Sequence, residues 1–259
     1  MIADYRFSTQ GMPALMLHCA LGRARDWRAL LAAMRTPLAA QGFDMPGHGR
    51  SDDWDGTGEF QGQCVAHAQT LLQAPSLLIG HSFGATIALR LALERPDLVR
   101  ALVLIEPVLF AAARSRPEYA AHAAHDAEFA SAIALGDYHT AAALFLDLWG
   151  TGTPFREMPP AEQDRISAKI PLIMATTPAI YDDSAGILAP GRLEGLRAPV
   201  LLLHGSASPP VAGAINAALC ERLPDAQAQC ISGAGHMLPL THPATTADAI
   251  DGFLTQMSG

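Results

Sequence analysis

No apolar run in this sequence approaches the ~20 residues that a membrane-spanning helix requires. The opening stretch, MIADYRFSTQG, shows no basic segment leading into an apolar one, so neither a membrane protein nor a secretory leader is expected. Charge is scarce: 16% of the 259 residues are Asp, Glu, Lys or Arg, the formal net charge is −8, and no run of Lys or Arg occurs. That balance argues against nucleic acid and against an anionic membrane surface as partners. Cysteine is also sparse. Cys19, Cys64, Cys220 and Cys230 stand apart with no CxxC spacing, which argues against a zinc site or a redox pair. They read as reduced, mostly buried thiols of a cytoplasmic protein. With no internal repeat, coiled-coil seam or low-complexity arm, a scaffolding role has no support either. What the chain does hold is apolar residues, half of the total, and a length that suffices to bury the core of one α/β domain.

Short apolar runs alternate with helix-period stretches. ALMLHC (14–19), PLAAQGFD (37–44), SLLIGH (76–81) and VRALVLIEP (99–107) read as strands, the last stopped by Pro107. ARDWRALLAAMR (24–35), CVAHAQTLLQ (64–73) and the segment from Phe83 to Pro96 read as the helices between them. The rhythm returns with strands at 198–205 and 226–233 and helices at 211–223 and 245–257. Continuous apolar strands joined by helical crossovers imply a doubly wound, mostly parallel sheet. Residues 108–195 differ. They are Ala-rich, helical in period and without a strong strand, and so are expected to form a helical insertion in a core made of residues 1–107 and 196–259.

Between the strand at 76–81 and the helix that follows lies Gly80-His81-Ser82-Phe83-Gly84. Glycines two before and two after a serine suit a turn so tight that neither position has room for a side chain. Such a turn lifts the serine hydroxyl out at the carboxyl end of a sheet, and the helix start behind it favours developing negative charge. The unremarkable alternative is a serine that merely caps the helix.

The chain resembles the α/β-hydrolase family, and the resemblance extends along most of its length. LHCALGRARDW is similar to the family's oxyanion loop, DMPGHGRSD to its D-x-P-G-x-G-x-S turn, GHSFG to its nucleophile elbow and GAGHMLPLTHP to its catalytic-histidine segment, in family order. The insertion falls where such enzymes carry a cap. The resemblance implies that Ser82 is the nucleophile and His236 the general base, with the Ala20 and Phe83 backbone N–H groups forming the oxyanion hole. HCA stands where His-Gly-x is usual, so Cys19 replaces a glycine; with no basic neighbour its thiol is expected to be inert.

In many relatives an acid follows the penultimate core strand, three positions after a glycine. Here that position is Ser208, and no Asp or Glu occurs from Gly205 to Leu219. Glu106, at the end of the strand after the elbow helix, offers an alternative, because neighbouring strand ends lie only ~5 Å apart and some family members draw their acid from that strand. Asp182 and Asp183 are held in reserve. Asp44 is expected to hold its turn by hydrogen bonds rather than to take part in chemistry. His18, His81 and Trp149 are candidates to line the substrate pocket, and Tyr119, His122, His125, Phe145 and Met174 share the insertion with Trp149.

These residues imply a cofactor-independent, metal-free serine hydrolase that cleaves an ester or related acyl bond of a small, fairly apolar substrate. Carbon–carbon, thioester or lactone hydrolysis and acyl transfer use the same machinery and remain open. The missing acid at Ser208 motivates a second reading, a non-catalytic ligand-binding protein on a hydrolase scaffold. The distance from the Glu106 carboxylate to the His236 ring discriminates the two.

Overall fold

The computed structural model describes residues 1–257. Seven strands form one sheet: β1 (Ala3–Arg6), β2 (Met12–Leu17), β3 (Leu38–Asp44), β4 (Ser76–His81), β5 (Val99–Ile105), β6 (Val200–Gly205) and β7 (Ala226–Ile231). Their spatial order is β1-β3-β2-β4-β5-β6-β7. All neighbours pair in parallel except β1, which runs antiparallel to β3 with Ala3 opposite Asp44. The doubly wound, mostly parallel sheet expected from the alternating runs is therefore present. β1 escapes a reading of apolar runs because it is a four-residue edge strand with Asp4 and Arg6 in it.

The described residues form ten α-helices: α1 (Arg28–Ala33), α2 (Phe60–Leu71), α3 (Phe83–Glu94), α4 (Pro117–Ala134), α5 (Tyr138–Trp149), α6 (Pro160–Ser167), α7 (Ile170–Ile180) and α8 (Pro210–Cys220) between the strands, and α9 (Leu238–Thr241) and α10 (Pro243–Gln256) after β7. Successive strand residues point to opposite faces, so β2 sends Leu15 and Leu17 to the side of α2, α3 and α8, and Ala14 and Met16 to the side of α1 and α10. Leu78 and Leu77 divide in the same way on β4. Each fully buried Leu or Ile of these two layers contributes roughly 1.5–3 kcal/mol.

Residues 108–195 add no strand to the sheet; α4 to α7 lie here, between β5 and β6. Ala132, Ala141, Ala142, Phe155, Ile166 and Ile170 form a small separate cluster within this segment. The later part of this segment forms two helices, α6 and α7, rather than one. Pro171 has no N–H to continue α6 and sits instead in the first turn of α7, where none is needed. No helix among the described residues is long and apolar enough to cross a membrane.

Strand order reverses between β2 and β4, which lie side by side while the chain visits β3 in between. At such a switch point the loops leaving the two carboxyl ends diverge and open a crevice. The loop after β2 and the turn at Ser82 both leave from there.

Candidate active site

Ser82 has φ 56° and ψ −120°, a left-handed conformation that costs a non-glycine residue on the order of 1–3 kcal/mol. The surroundings hold it there. Its N–H donates to the Ile105 carbonyl across the sheet at 2.8 Å. A Cβ on Gly84 would fall 2.1 Å from the Leu17 carbonyl oxygen, and one on Gly80 would fall 2.4 Å from the Gly84 carbonyl oxygen. Both glycines are thus dictated by contact: α3 starts so close to β2 and β4 that no side chain fits.

His236 lies in the loop between β7 and α9. Its Nδ1 is 3.1 Å from Oε2 of Glu106, and both residues are buried. The carboxylate can only accept, so Nδ1 carries the proton and Nε2 keeps a lone pair. Glu106 itself has φ 50°, the second such residue at a strand end. Its other oxygen, Oε1, accepts the Gly205 N–H at 2.7 Å and the Ser208 hydroxyl at 2.6 Å. The His81 ring donates through Nε2 to the His236 carbonyl at 2.9 Å, and the two rings lie 5.0 Å apart. Desolvation holds the His81 pKa well below the usual histidine value, so this ring is a neutral prop.

The loop after β2 is fixed from below. His18 donates through Nδ1 to the Cys19 carbonyl at 2.7 Å and accepts the Met45 N–H at Nε2, 3.0 Å away. His48 accepts the Leu21 N–H at 3.0 Å. Asp44 accepts the Ala24 N–H, the Arg50 N–H and the Tyr5 hydroxyl, and so ties this loop to its own turn, as expected of it. Burial lowers the pKa of His18 to about 4 and that of His48 to about 3, so both rings are neutral near pH 7. The left-handed residue of the loop is Leu21, φ 61°, and not Cys19, which explains how a cysteine replaces the usual glycine. Burial pushes the Cys19 thiol up to about 12, which makes it unreactive. Among the described residues the Ala20 N–H has no acceptor, and the Phe83 N–H belongs to the first helical turn, where the helix offers none.

Ala20, Ser82, Phe83 and His236 line one cavity of about 290 Å³. Its other walls are mostly apolar and come from the 108–195 segment, among them Phe110, Phe129, Phe145, Trp149 and Ile173. Trp149 lies edge-on to His236, with ring centroids 4.7 Å apart and planes at 72°. His125, Phe145 and Met174 reach this cavity too; Tyr119 and His122 do not line it.

His18 and His81 do not line it either, contrary to expectation. His18 spends both ring nitrogens on backbone groups and His81 spends Nε2 on the His236 carbonyl, and each residue is about 2% exposed. The reserve acids also lie elsewhere: Asp183 accepts the Ile187 and Leu188 N–H groups, and Asp182 is exposed. In the sequence Ser208 marks only the position where the resemblance places an acid and none occurs. Its role as donor to Glu106 becomes apparent once β5 and β6 lie side by side.

The chain belongs to the alpha/beta hydrolase family, whose model matches residues 14–249. It is 24% identical to the (E)-2-((N-methylformamido)methylene)succinate hydrolase of Acinetobacter baylyi, over 97% of this chain and 94% of that one. It is 36% identical to lipase LipV of Mycobacterium tuberculosis, in a match of 99 residues that spans 37% of each chain. Among solved structures, the enzyme Est816, described as degrading N-acyl homoserine lactones, superimposes with a TM-score of 0.68 at 22% identity, over 97% of both chains. That likeness extends to the fold. The protein is a hydrolase of this family.

Proposed function

We propose that the protein is a cofactor-independent serine hydrolase that cleaves an ester or related acyl bond of a small, largely apolar substrate through an acyl-enzyme. The observation that carries this reading is the Glu106–His236 contact at 3.1 Å, which orients a buried imidazole in the cavity that Ser82 also lines. The same distance disfavours the ligand-binding alternative, which needed the carboxylate to point away from the ring.

In this reading Ser82 Oγ attacks the acyl carbon and gives its proton to Nε2 of His236. Glu106 keeps Nδ1 protonated and stabilises the imidazolium that forms. The Ala20 and Phe83 N–H groups hold the oxyanion, in a cavity whose walls are mostly apolar. Imidazolium protonates the leaving alcohol, and water then repeats the sequence on the acyl-enzyme. Residues 108–195 act as the cap that supplies the apolar walls. A lipase among the relatives supports ester chemistry. The succinate named for another relative is less suited to this chain, because Asp126 is the one Asp, Glu, Lys or Arg among the cavity-lining residues.

The test combines a fluorophosphonate label with turnover of short p-nitrophenyl esters, a thioester and a lactone by wild type, Ser82→Ala and Glu106→Gln. The expected outcome is labelling and turnover lost in Ser82→Ala, with esters cleaved fastest by wild type. A folded wild type that takes no label removes Ser82 from its role.

A further inference from the structure

His122 and Asp126 occupy successive turns of one face of α4, with His122 Nε2 3.6 Å from Oδ2 of Asp126. The same Nε2 lies 2.9 Å from the Tyr181 hydroxyl. Asp126 and Tyr181 line the cavity, and the Asp126 side chain is 31% exposed. His122 is packed behind them, its ring stacked on Phe110 at 4.3 Å and edge-on to Trp149 at 5.7 Å. Trp149 in turn meets His236, so this polar cluster lies two ring contacts from the candidate base.

Two features distinguish the cluster from a tether between helices. First, its charge is not balanced. No Lys or Arg pairs with Asp126 among the described residues, and burial lowers the pKa of His122, which leaves that ring neutral. Second, His122 Nδ1 is buried with no hydrogen-bond partner. A mostly apolar cavity thus holds one carboxylate with a phenol hydroxyl beside it, and an unsatisfied ring nitrogen lies behind them, outside the lining. A carboxylate without a cationic partner in such a place is costly unless a ligand completes it.

We propose that Asp126, with Tyr181 beside it, is a specificity subsite that binds a hydrogen-bond-donating group, a hydroxyl or a primary ammonium, on the part of the substrate remote from the reacting carbonyl. This rests on the serine-hydrolase reading above and adds the substrate class: an apolar ester ending in a donor. A carboxylate at that end meets Asp126 as a like charge and is excluded.

The experiment compares the methyl esters of hexanoic, ω-hydroxyhexanoic and ω-aminohexanoic acids with monomethyl adipate, followed by pH-stat in wild type, Asp126→Asn and Tyr181→Phe. Wild type is expected to take the hydroxy and amino esters with kcat/KM at least about tenfold above the carboxylate-ended ester. Asp126→Asn should shrink the amino-to-carboxylate ratio about tenfold, chiefly through KM, and Tyr181→Phe should shrink it less. Each ratio is taken within one preparation, so a partly folded variant does not distort it. A wild type that prefers the carboxylate-ended ester, or ratios that Asp126→Asn leaves unmoved, overturns the subsite while fluorophosphonate labelling of Ser82 still stands. Absence of labelling in wild type removes the hydrolase reading and the subsite with it.

Discussion

Ser208 donates its hydroxyl to Glu106 at 2.6 Å, from the position where many members of the family carry an acid. In the proposed reading the acid stands one strand over, at the end of β5, and a short polar side chain in the loop after β6 orients it. Glu106 thereby has both carboxylate oxygens engaged, one on His236 and one on Gly205 and Ser208.

Replacing Glu106 by Gln should lower kcat on the order of 10³-fold or more, since an amide facing Nδ1 favours the wrong tautomer. Ser208→Ala removes one hydrogen bond to the acid, and the expected loss is about tenfold in kcat with KM retained. Ser208→Thr, which keeps the hydroxyl, should recover most of it. Steady-state kinetics on one ester checks all three, and a Ser208→Ala enzyme as fast as wild type excludes the positioning role.

The backbone at Ser82 makes a prediction about stability. At an unstrained position glycine is about 0.5–1 kcal/mol less stable than alanine. At φ 56° the order should invert, with Ser82→Gly more stable than Ser82→Ala by about 1 kcal/mol, both inactive. Urea midpoints of the two variants decide it. By contrast, Gly84→Ala places a methyl against the Leu17 carbonyl oxygen and should cost about 3 kcal/mol or abolish folding.

Acid should destabilise the protein through its buried histidines. His18 has a pKa of about 4 in the folded chain against 6.5 unfolded, because burial penalises its charged form. Only the unfolded chain therefore takes up its proton between these values, and stability falls as pH drops from 6.5 towards 4. The loss is on the order of 3 kcal/mol for this ring. His48, with a folded pKa of about 3, acts with the same sign. Chemical denaturation over this range should show the decline, and His18→Gln should make it shallower while His48 still contributes.

The four thiols should separate on titration with a disulfide reagent. Cys230 is exposed and should react at once, Cys220 more slowly. Cys19 and Cys64 are buried, with pKa values raised by burial, and should react only after unfolding. Rapid modification of Cys19 in the native state is the outcome that contradicts its inert character.

Much of the architecture was determined by local pattern. β4 ends at His81 and α3 starts at Phe83 because an apolar run meets a glycine-flanked serine, and that junction is legible in twenty residues. The parallel sheet follows from apolar strands joined by helices. Other features depend on chain segments far apart in sequence. β1 is held by pairing with β3 rather than by its own composition. His18 and His81 carry the residue type of a pocket histidine, yet Nε2 of each is claimed by a backbone group, of Met45 and of His236, 27 and 155 positions away. Glu106 could be suspected from its place at a strand end, but its contacts with residues 205, 208 and 236 exist only once β5, β6 and the loop after β7 lie side by side. Periodicity is a local property and can be read from one segment. A hydrogen bond between distant strand ends depends on register and twist, which tertiary packing alone decides.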